Sequence, residues 1–390
     1  MKIEAIETFL MHAEGPAGLH TSAYPESLSP QSDDASGLSS EGSRHWLFVR
    51  VQCENGLAGL GEASGWPLVQ RTAIQDLAQV VIGQDARQIA AITERLKLAM
   101  MPHGTMGTFA SGIIAAIDMA LWDLKGKSLD VPVWQLLGGN MRDRIPLYCH
   151  AGNALAAREA ISLGYNGIKL SGHTKIVERA TAVREAFPDL DVMVDLHGPP
   201  WLTTANSQAL CQKLEKLDLT FVEEPVAPEN AAGLRQIRNT VKVPIASGER
   251  LGDISDFTRL IVGGHVDVVQ PDTGRAGGIS GMKKIAAIAE SQFVNVAPHS
   301  GSLGPIAEYA AVHLLASIPN CLYLERFADD WPGREAVLSV PLAFRDGAFL
   351  LPDRPGLGVE LLDEEVKGYT PRCNSRIPDD PPYERARYFK

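Results

Sequence analysis

From about residue 144 to residue 325 the chain repeats one pattern. A short apolar run ends in a polar residue and is followed by a stretch rich in Ala, Leu, Glu and Lys, with a period of roughly 25 residues. The apolar runs fall at 145–150, 166–170, 191–195, 219–223, 243–247, 266–270, 293–296 and 321–325. Strands covered by helices on one side and by other strands on the other read as such continuous apolar runs. Eight βα units of even spacing, with no G-x-G-x-x-G after any strand, favour closure into a parallel barrel over a doubly wound open sheet.

The flanks lack this rhythm. Residues 1–12 and 45–60 read as strands, with Glu54-Asn55-Gly56 as a turn, and residues 14–45 between them are Gly-, Ser-, Pro- and Asp-rich, the composition of a long loop. Helical stretches are expected near 68–101 and 109–127, the second carrying Ile113, Ile114, Ile117, Leu121 and Leu124 at helical spacing. The expectation is an α+β unit over 1–130, the barrel over 131–340, and a Pro-, Asp- and Arg-rich tail over 341–390 that packs back on the first unit.

Composition narrows the function. The 36 Lys and Arg against 47 Asp and Glu leave a charge of −11, which argues against a surface built to neutralise phosphates, so nucleic acid is not an expected partner. Cys53, Cys149, Cys211, Cys321 and Cys373 are scattered, with no C-x-x-C spacing, and fit a reducing, cytoplasmic setting. The opening Met1-Lys2-Ile3-Glu4-Ala5-Ile6-Glu7 has acids where an export signal needs apolar residues. Even the apolar stretch 113–122 is interrupted by Asp118, so a soluble protein away from membranes is expected.

In a parallel barrel all strands open their C-terminal ends on one face, where polar residues converge. Asp195 ends Val192-Met193-Val194-Asp195, Glu223 ends Phe221-Val222-Glu223, and Glu249 follows Ile245-Ala246-Ser247-Gly248, at spacings of 28 and 26 residues. One βα unit separates each from the next, so three carboxylates should share a mouth. Like charges so placed repel unless a cation intervenes, and oxygen-only donors suit Mg²⁺ better than zinc. Spacing alone leaves Glu223 and Glu224 even as the second ligand.

His299, beyond the seventh strand, and Asp272, beyond the sixth, lie on adjacent strands. A carboxylate that accepts the imidazole N–H fixes the tautomer and raises the basicity of the other nitrogen, making the pair a proton acceptor. His197, two residues past Asp195, should face the same way and could be a ligand or a proton donor. Lys169 and Ser171 share a face at the end of the second strand, and Glu325 ends the eighth, where these three could contact a substrate.

Together these segments resemble the enolase superfamily, and within it the mandelate racemase subgroup. The resemblance rests on Asp195, Glu223-Glu224-Pro225, Gly248-Glu249, Asp272 with Gly277-Gly278, His299, Glu325 and the stretch Ala115–Asp123. It implies a modified (β/α)7β barrel under an N-terminal α+β capping domain, a homo-oligomer, loops 14–45 and 61–67 over the substrate, and Glu223 as the second metal ligand. It also implies removal of a proton beside a carboxylate, giving an enediolate whose charge Mg²⁺ stabilises.

Where the racemases carry Lys-x-Lys, this chain has Lys169-Leu170-Ser171, so the usual second base is absent and loss of a β-hydroxyl becomes the expected outcome. Asp195-Leu196-His197-Gly198 resembles the segment of sugar acid dehydratases, the galactonate dehydratases among them, in which the corresponding His is the acid for the departing hydroxide. Those relatives continue with Arg, whereas here Pro199-Pro200-Trp201 follow. The resemblance thus points to a sugar acid substrate. A cycloisomerase or epimerase is the competing enzyme reading, and a barrel that binds a sugar acid without turnover is the non-enzymatic one.

Overall fold

The computed structural model describes residues 1–13, 44–104, 107–198, 201–300, 303–326 and 333–368. Most of loop 14–45, Pro199-Pro200 and the tail beyond 368 therefore lie outside the described residues.

Strands β1 (Ile3–Ala13), β2 (Arg44–Cys53) and β3 (Ala58–Ala63) form an antiparallel sheet in that order. Gly56, at φ 81°, makes the β2–β3 turn that the Asn-Gly pair predicts. Helices α1 (Pro67–Val81), α2 (Ile89–Met100) and α3 (Gly107–Leu129) cover the sheet. The stretch expected as one helix over 68–101 is thus two. Gly83, at φ 82°, breaks it by turning its N–H to the Ile3 carbonyl of β1 at 2.8 Å. Helix α3 is long and apolar, but most of it is buried as the core of this unit. It lies so close to β3 that a Cβ on Gly59 would fall 2.1 Å from the Ala120 carbonyl oxygen, and one on Gly61 1.8 Å from that of Ala116.

After the short α4 (Val133–Leu136) the repeat begins: β4 (Arg144–His150), α5 (Ala154–Ser162), β5 (Gly167–Ser171), α6 (Ile176–Ala186), β6 (Asp191–Asp195) and α7 (Thr204–Leu214). It continues through β7 (Phe221–Glu223), α8 (Ala231–Arg238), β8 (Ile245–Ser247), α9 (Ile254–Val262), β9 (Val268–Val269), α10 (Gly278–Ser291), β10 (Asn295–Val296), α11 (Pro305–Ala316) and β11 (Leu324–Arg326). Strands β4 to β10 pair in parallel, each with the next. The ends of this sheet meet through the last segment. Val296 bridges in parallel to Cys321, and β11 pairs in parallel with β4.

Alternation sorts the side chains. Ile168, Val192, Val194, Val222, Ile245, Val269 and Leu324 point outward into the helix layer, while Tyr148, Met193, Phe221, Ala246, Val268 and Ala297 fill the inside. This inner plug closes the floor beneath the strand ends. Packing makes the interior a core rather than a pore.

The tail differs from expectation in its first part. Strands β12 (Phe344–Arg345) and β13 (Ala348–Leu350) form a hairpin that pairs antiparallel with β4 of the barrel, and Phe344 stacks on Tyr165 with ring centres 4.9 Å apart. The first residues of β4, which precede its pairings with β5 and β11, offer unpaired backbone, and the aromatic residues of the hairpin supply the burial. Among the described residues, the following stretch bonds to the first unit, where the Leu357 N–H donates to Asp123 of α3 at 2.7 Å. Asp123 also accepts from the Leu60 N–H of β3 at 2.9 Å and pairs with Lys127. Helix α12 (Asp363–Gly368) places Asp363 against Arg50 of β2. Of the described cysteines, Cys53, Cys211 and Cys321 are free thiols.

Candidate active site

The inner face at the strand ends is a ring of eight positions, one per strand. Strand alternation gives His150, Lys169, Asp195, Glu223, Gly248, Gln270, His299 and Glu325 in order around it. Register sets the closest neighbours: Ser171 lies opposite Asp195, and Asp195 opposite Glu223. Of the two glutamates that spacing could not separate, Glu223 therefore lies beside Asp195. Glu224 has φ 39°, and its carboxylate accepts from Arg250 Nε at 3.1 Å. Glu249 sits beyond Gly248, whose φ of 140° and whose approach to Gln270, 3.1 Å from the site of a Cβ, leave no room for a side chain.

Lys169 is the electrostatic centre. Its buried ammonium is 2.7 Å from Glu223, 2.6 Å from Glu325 and 3.6 Å from Asp195. Burial opposes its charge, yet Glu223 and Glu325 hold its pKa well above the ordinary lysine value. Burial likewise opposes the charge of Glu325, but Lys169 and His299 hold it well below the usual carboxylate range. Burial and the charge of Asp195 push Glu223 up to about 7.

Two imidazole–carboxylate pairs flank this centre. His299 Nδ1 is 2.8 Å from Asp272, which also accepts the Gly274 N–H at 2.8 Å, and His299 Nε2 is 3.2 Å from Glu249. Burial works against a charged His299, but Glu249, Glu325 and Asp272 together raise its pKa. His197 Nδ1 is 2.7 Å from Asp195, and its own N–H reaches the other oxygen of Asp195 at 3.0 Å. Burial lowers and Asp195 raises the His197 pKa, to about 9 in net.

The structure thus brings Asp195, Glu223, Glu249, Lys169, Ser171, His197, Asp272, His299 and Glu325 to one mouth. His150 escaped the sequence reading. It ends the first barrel strand and lies 2.6 Å from Glu325, so the terminal polar residue of the 145–150 run was the signal that could have found it. Gly277-Gly278, read as part of the motif, has a packing role. A Cβ on Gly278 would meet Asp118 of α3 at 2.6 Å, and Asp118 accepts the Ser280 N–H at 2.9 Å, docking α10 on the first unit.

The donors suit a hard divalent cation. They are all carboxylate oxygens, one oxygen each of Glu223 and Glu224 is buried without a hydrogen bond, and acids outnumber the cationic Lys169 and Arg250. Among the described residues no three such side chains are yet drawn closely enough to hold an ion. Each faces an internal partner instead: Asp195 faces His197, Glu223 faces Lys169, and Glu249 faces Arg250 and His299.

A closed ring of parallel strands carrying carboxylates at its C-terminal mouth, under an α+β unit, defines the enolase-type class. The sequence matches the description "Enolase C-terminal domain-like" over residues 153–366 and "Mandelate racemase / muconate lactonizing enzyme, N-terminal domain" over 35–138, and the chain belongs to that family. It is 34% identical over 348 residues to a D-galactonate dehydratase of Pectobacterium atrosepticum, covering 82% of this chain and 90% of that one. It is also 34% identical over 376 residues to one of Xanthomonas euvesicatoria pv. vesicatoria, covering 86% and 92%. Among solved structures it is similar to the 3,6-anhydro-D-galactonate cycloisomerase from Zobellia galactanivorans, with a TM-score of 0.82, 28% identity, and 95% and 100% of the two chains covered. A mandelate racemase/muconate lactonizing enzyme from Jannaschia sp. CCS1 gives a TM-score of 0.80 at 28% identity, with 95% and 98% covered.

Proposed function

We propose that the protein is a Mg²⁺-dependent dehydratase of a sugar acid, an aldonate or aldarate, giving a 2-keto-3-deoxy acid. Asp195, Glu223 and Glu249 would hold the cation. Bound there, it would offset the negative charge that a substrate carboxylate gains as its α-proton leaves.

The chain's own groups divide the remaining work. His299, its Nδ1–H held by Asp272, presents Nε2 to the mouth and takes the α-proton. His197, whose raised pKa keeps it protonated at neutral pH, gives a proton to the departing 3-hydroxyl, so that water leaves and the enol becomes the ketone. Lys169, Ser171 and Glu325 line the side between these two and contact the acid.

The observation that carries this reading is the locked state of Lys169. An ammonium set between two carboxylates at 2.7 and 2.6 Å, with its pKa raised, is a fixed charge and not a second base. The machinery for removing a proton is therefore one-sided, which suits elimination better than racemisation. A screen of sugar acids that includes D-galactonate, run with Mg²⁺ and read by 2-keto acid formation, tests it. Turnover that stops in chelator and returns with Mg²⁺ supports the reading, and absence of 2-keto acid from every substrate contradicts it.

The cycloisomerase reading is favoured by the likeness to the 3,6-anhydro-D-galactonate enzyme. It predicts a product isomeric with its substrate and no loss of water. The working unit is expected to be a homo-oligomer.

A further inference from the structure

Seven of the eight ring positions are accounted for. His150, Lys169, Asp195, Glu223, His299 and Glu325 carry ionic or hydrogen-bonded partners, and Gly248 has no side chain. Gln270 is the exception. It is fully buried, and neither its amide oxygen nor its amide nitrogen has a hydrogen-bond partner.

Its direction follows from the strand. Val268 belongs to the inner plug and Val269 to the outer layer, while the Gln270 N–H donates to the Ser247 carbonyl at 3.0 Å and keeps the ladder going. Alternation then carries the Gln270 side chain inward, directly above Val268 and at the level of the mouth. On its β8 side stands Gly248, which has no side chain to offer the amide a partner. On its other side comes His299.

A buried amide with nothing to bond costs stability, and a leucine of similar size would avoid that cost. Its shape says what would complete it. The amide offers a donor and an acceptor side by side, and a hydroxyl both accepts and donates. A carboxylate would satisfy the nitrogen only, and an apolar group neither atom. The hydroxyls of Ser171, Thr273 and Ser300, each within three residues of a ring position, and that of Tyr148 in the plug beneath are likewise buried without partners.

We propose that Gln270 contacts the substrate, pairing through both amide atoms with one hydroxyl of a polyhydroxy acid, and so selects which acid is turned over. This rests on the reading of the mouth as a sugar acid site.

The test compares wild type, Gln270→Leu and Gln270→Asn on the best acid from the screen and on its mono-deoxy analogues. It measures kcat/KM, the ligand-induced shift in Tm and the Tm of the unliganded protein. Wild type should reject one analogue by on the order of 10²- to 10⁴-fold, because that analogue leaves the amide unpaired. Gln270→Leu should compress this ratio to under about tenfold while its unliganded Tm holds or rises. Gln270→Asn keeps the chemistry but withdraws it by one methylene, so it should fold and also lose selectivity.

Unchanged selectivity in both variants overturns the proposal. So does a fall in unliganded Tm with selectivity kept, which would show an amide satisfied by ordered water. These outcomes leave dehydration by wild type intact. A wild type that neither turns over nor is stabilised by any polyhydroxy acid sinks the sugar acid reading along with this one.

Discussion

The two flanks of the mouth carry the same pair of groups, an imidazole against an aspartate, and they are built differently. Asp195 and His197 are two residues apart on one strand end, and Asp195 is shared with Lys169. Asp272 and His299 come from neighbouring strand ends 27 residues apart, and Asp272 is pinned by the Gly274 N–H and by Arg275 at 3.3 Å. The His197 side chain is 31% exposed and that of His299 is 11% exposed. A buried ring whose carboxylate is pinned by the backbone suits repeated proton removal, whereas a more exposed ring whose carboxylate is shared with Lys169 suits a group that gives up a proton to a leaving hydroxide. In the proposed mechanism the same pair of groups takes two roles by placement.

The largest effect should come from the buried flank. His299→Asn is expected to lower kcat for 2-keto acid formation by on the order of 10³-fold or more, with circular dichroism and Tm close to wild type. Asp272→Asn comes next. It keeps the shape but favours the wrong imidazole tautomer, and a loss of about 10²- to 10⁴-fold in kcat with little change in KM is expected. A full-rate Asp272→Asn enzyme would make the two flanks equivalent and break the comparison.

On the rim, His197→Asn should cost about 10²-fold in dehydration, since water can replace a proton donor better than it replaces a base. A loss there as large as that at His299 would mean that both imidazoles act in the same step.

The smallest effect concerns a third histidine, far from the mouth. His313 is fully buried between the Trp134 N–H at 3.2 Å and the Leu357 carbonyl at 3.0 Å, and burial lowers its pKa to about 4. The unfolded chain binds this proton near pH 6.5 and the folded chain only near pH 4. The stabilisation is therefore complete above pH 6.5 and is lost as the pH falls between those values, by roughly 3 kcal/mol. Denaturant titrations at pH 7 and pH 4 should show a smaller acid loss for His313→Gln than for wild type. Equal losses would contradict a histidine held neutral.

Much of this was legible in the sequence because buried parallel strands are apolar runs ended by polar residues. The run 191–195 matches β6 residue for residue, and the others fall within three residues of the strands observed. Asp195, Glu249, Asp272 and His299 could be read because each ends or follows such a run. What stayed hidden depends on contacts between distant segments. The φ of Gly83 that splits the first helical stretch, the docking of the Phe344–Leu350 hairpin on β4, and the capture of Lys169 by Glu223 and Glu325 leave no periodic trace. Glu223 and Glu224 could not be told apart because adjacent residues point oppositely and a three-residue strand gives too little alternation to set the phase. Register beside Asp195 supplies what the pattern lacked.

In the proposed mechanism a single base, His299, works from one side of the substrate. The most direct measurement follows the α-proton by NMR in deuterium oxide for His197→Asn and His299→Asn, with the same sugar acid and Mg²⁺. His197→Asn should exchange that proton for deuterium with configuration retained while forming little 2-keto acid, and His299→Asn should leave it in place. Exchange that persists in His299→Asn, or an epimer appearing with His197→Asn, would contradict the account.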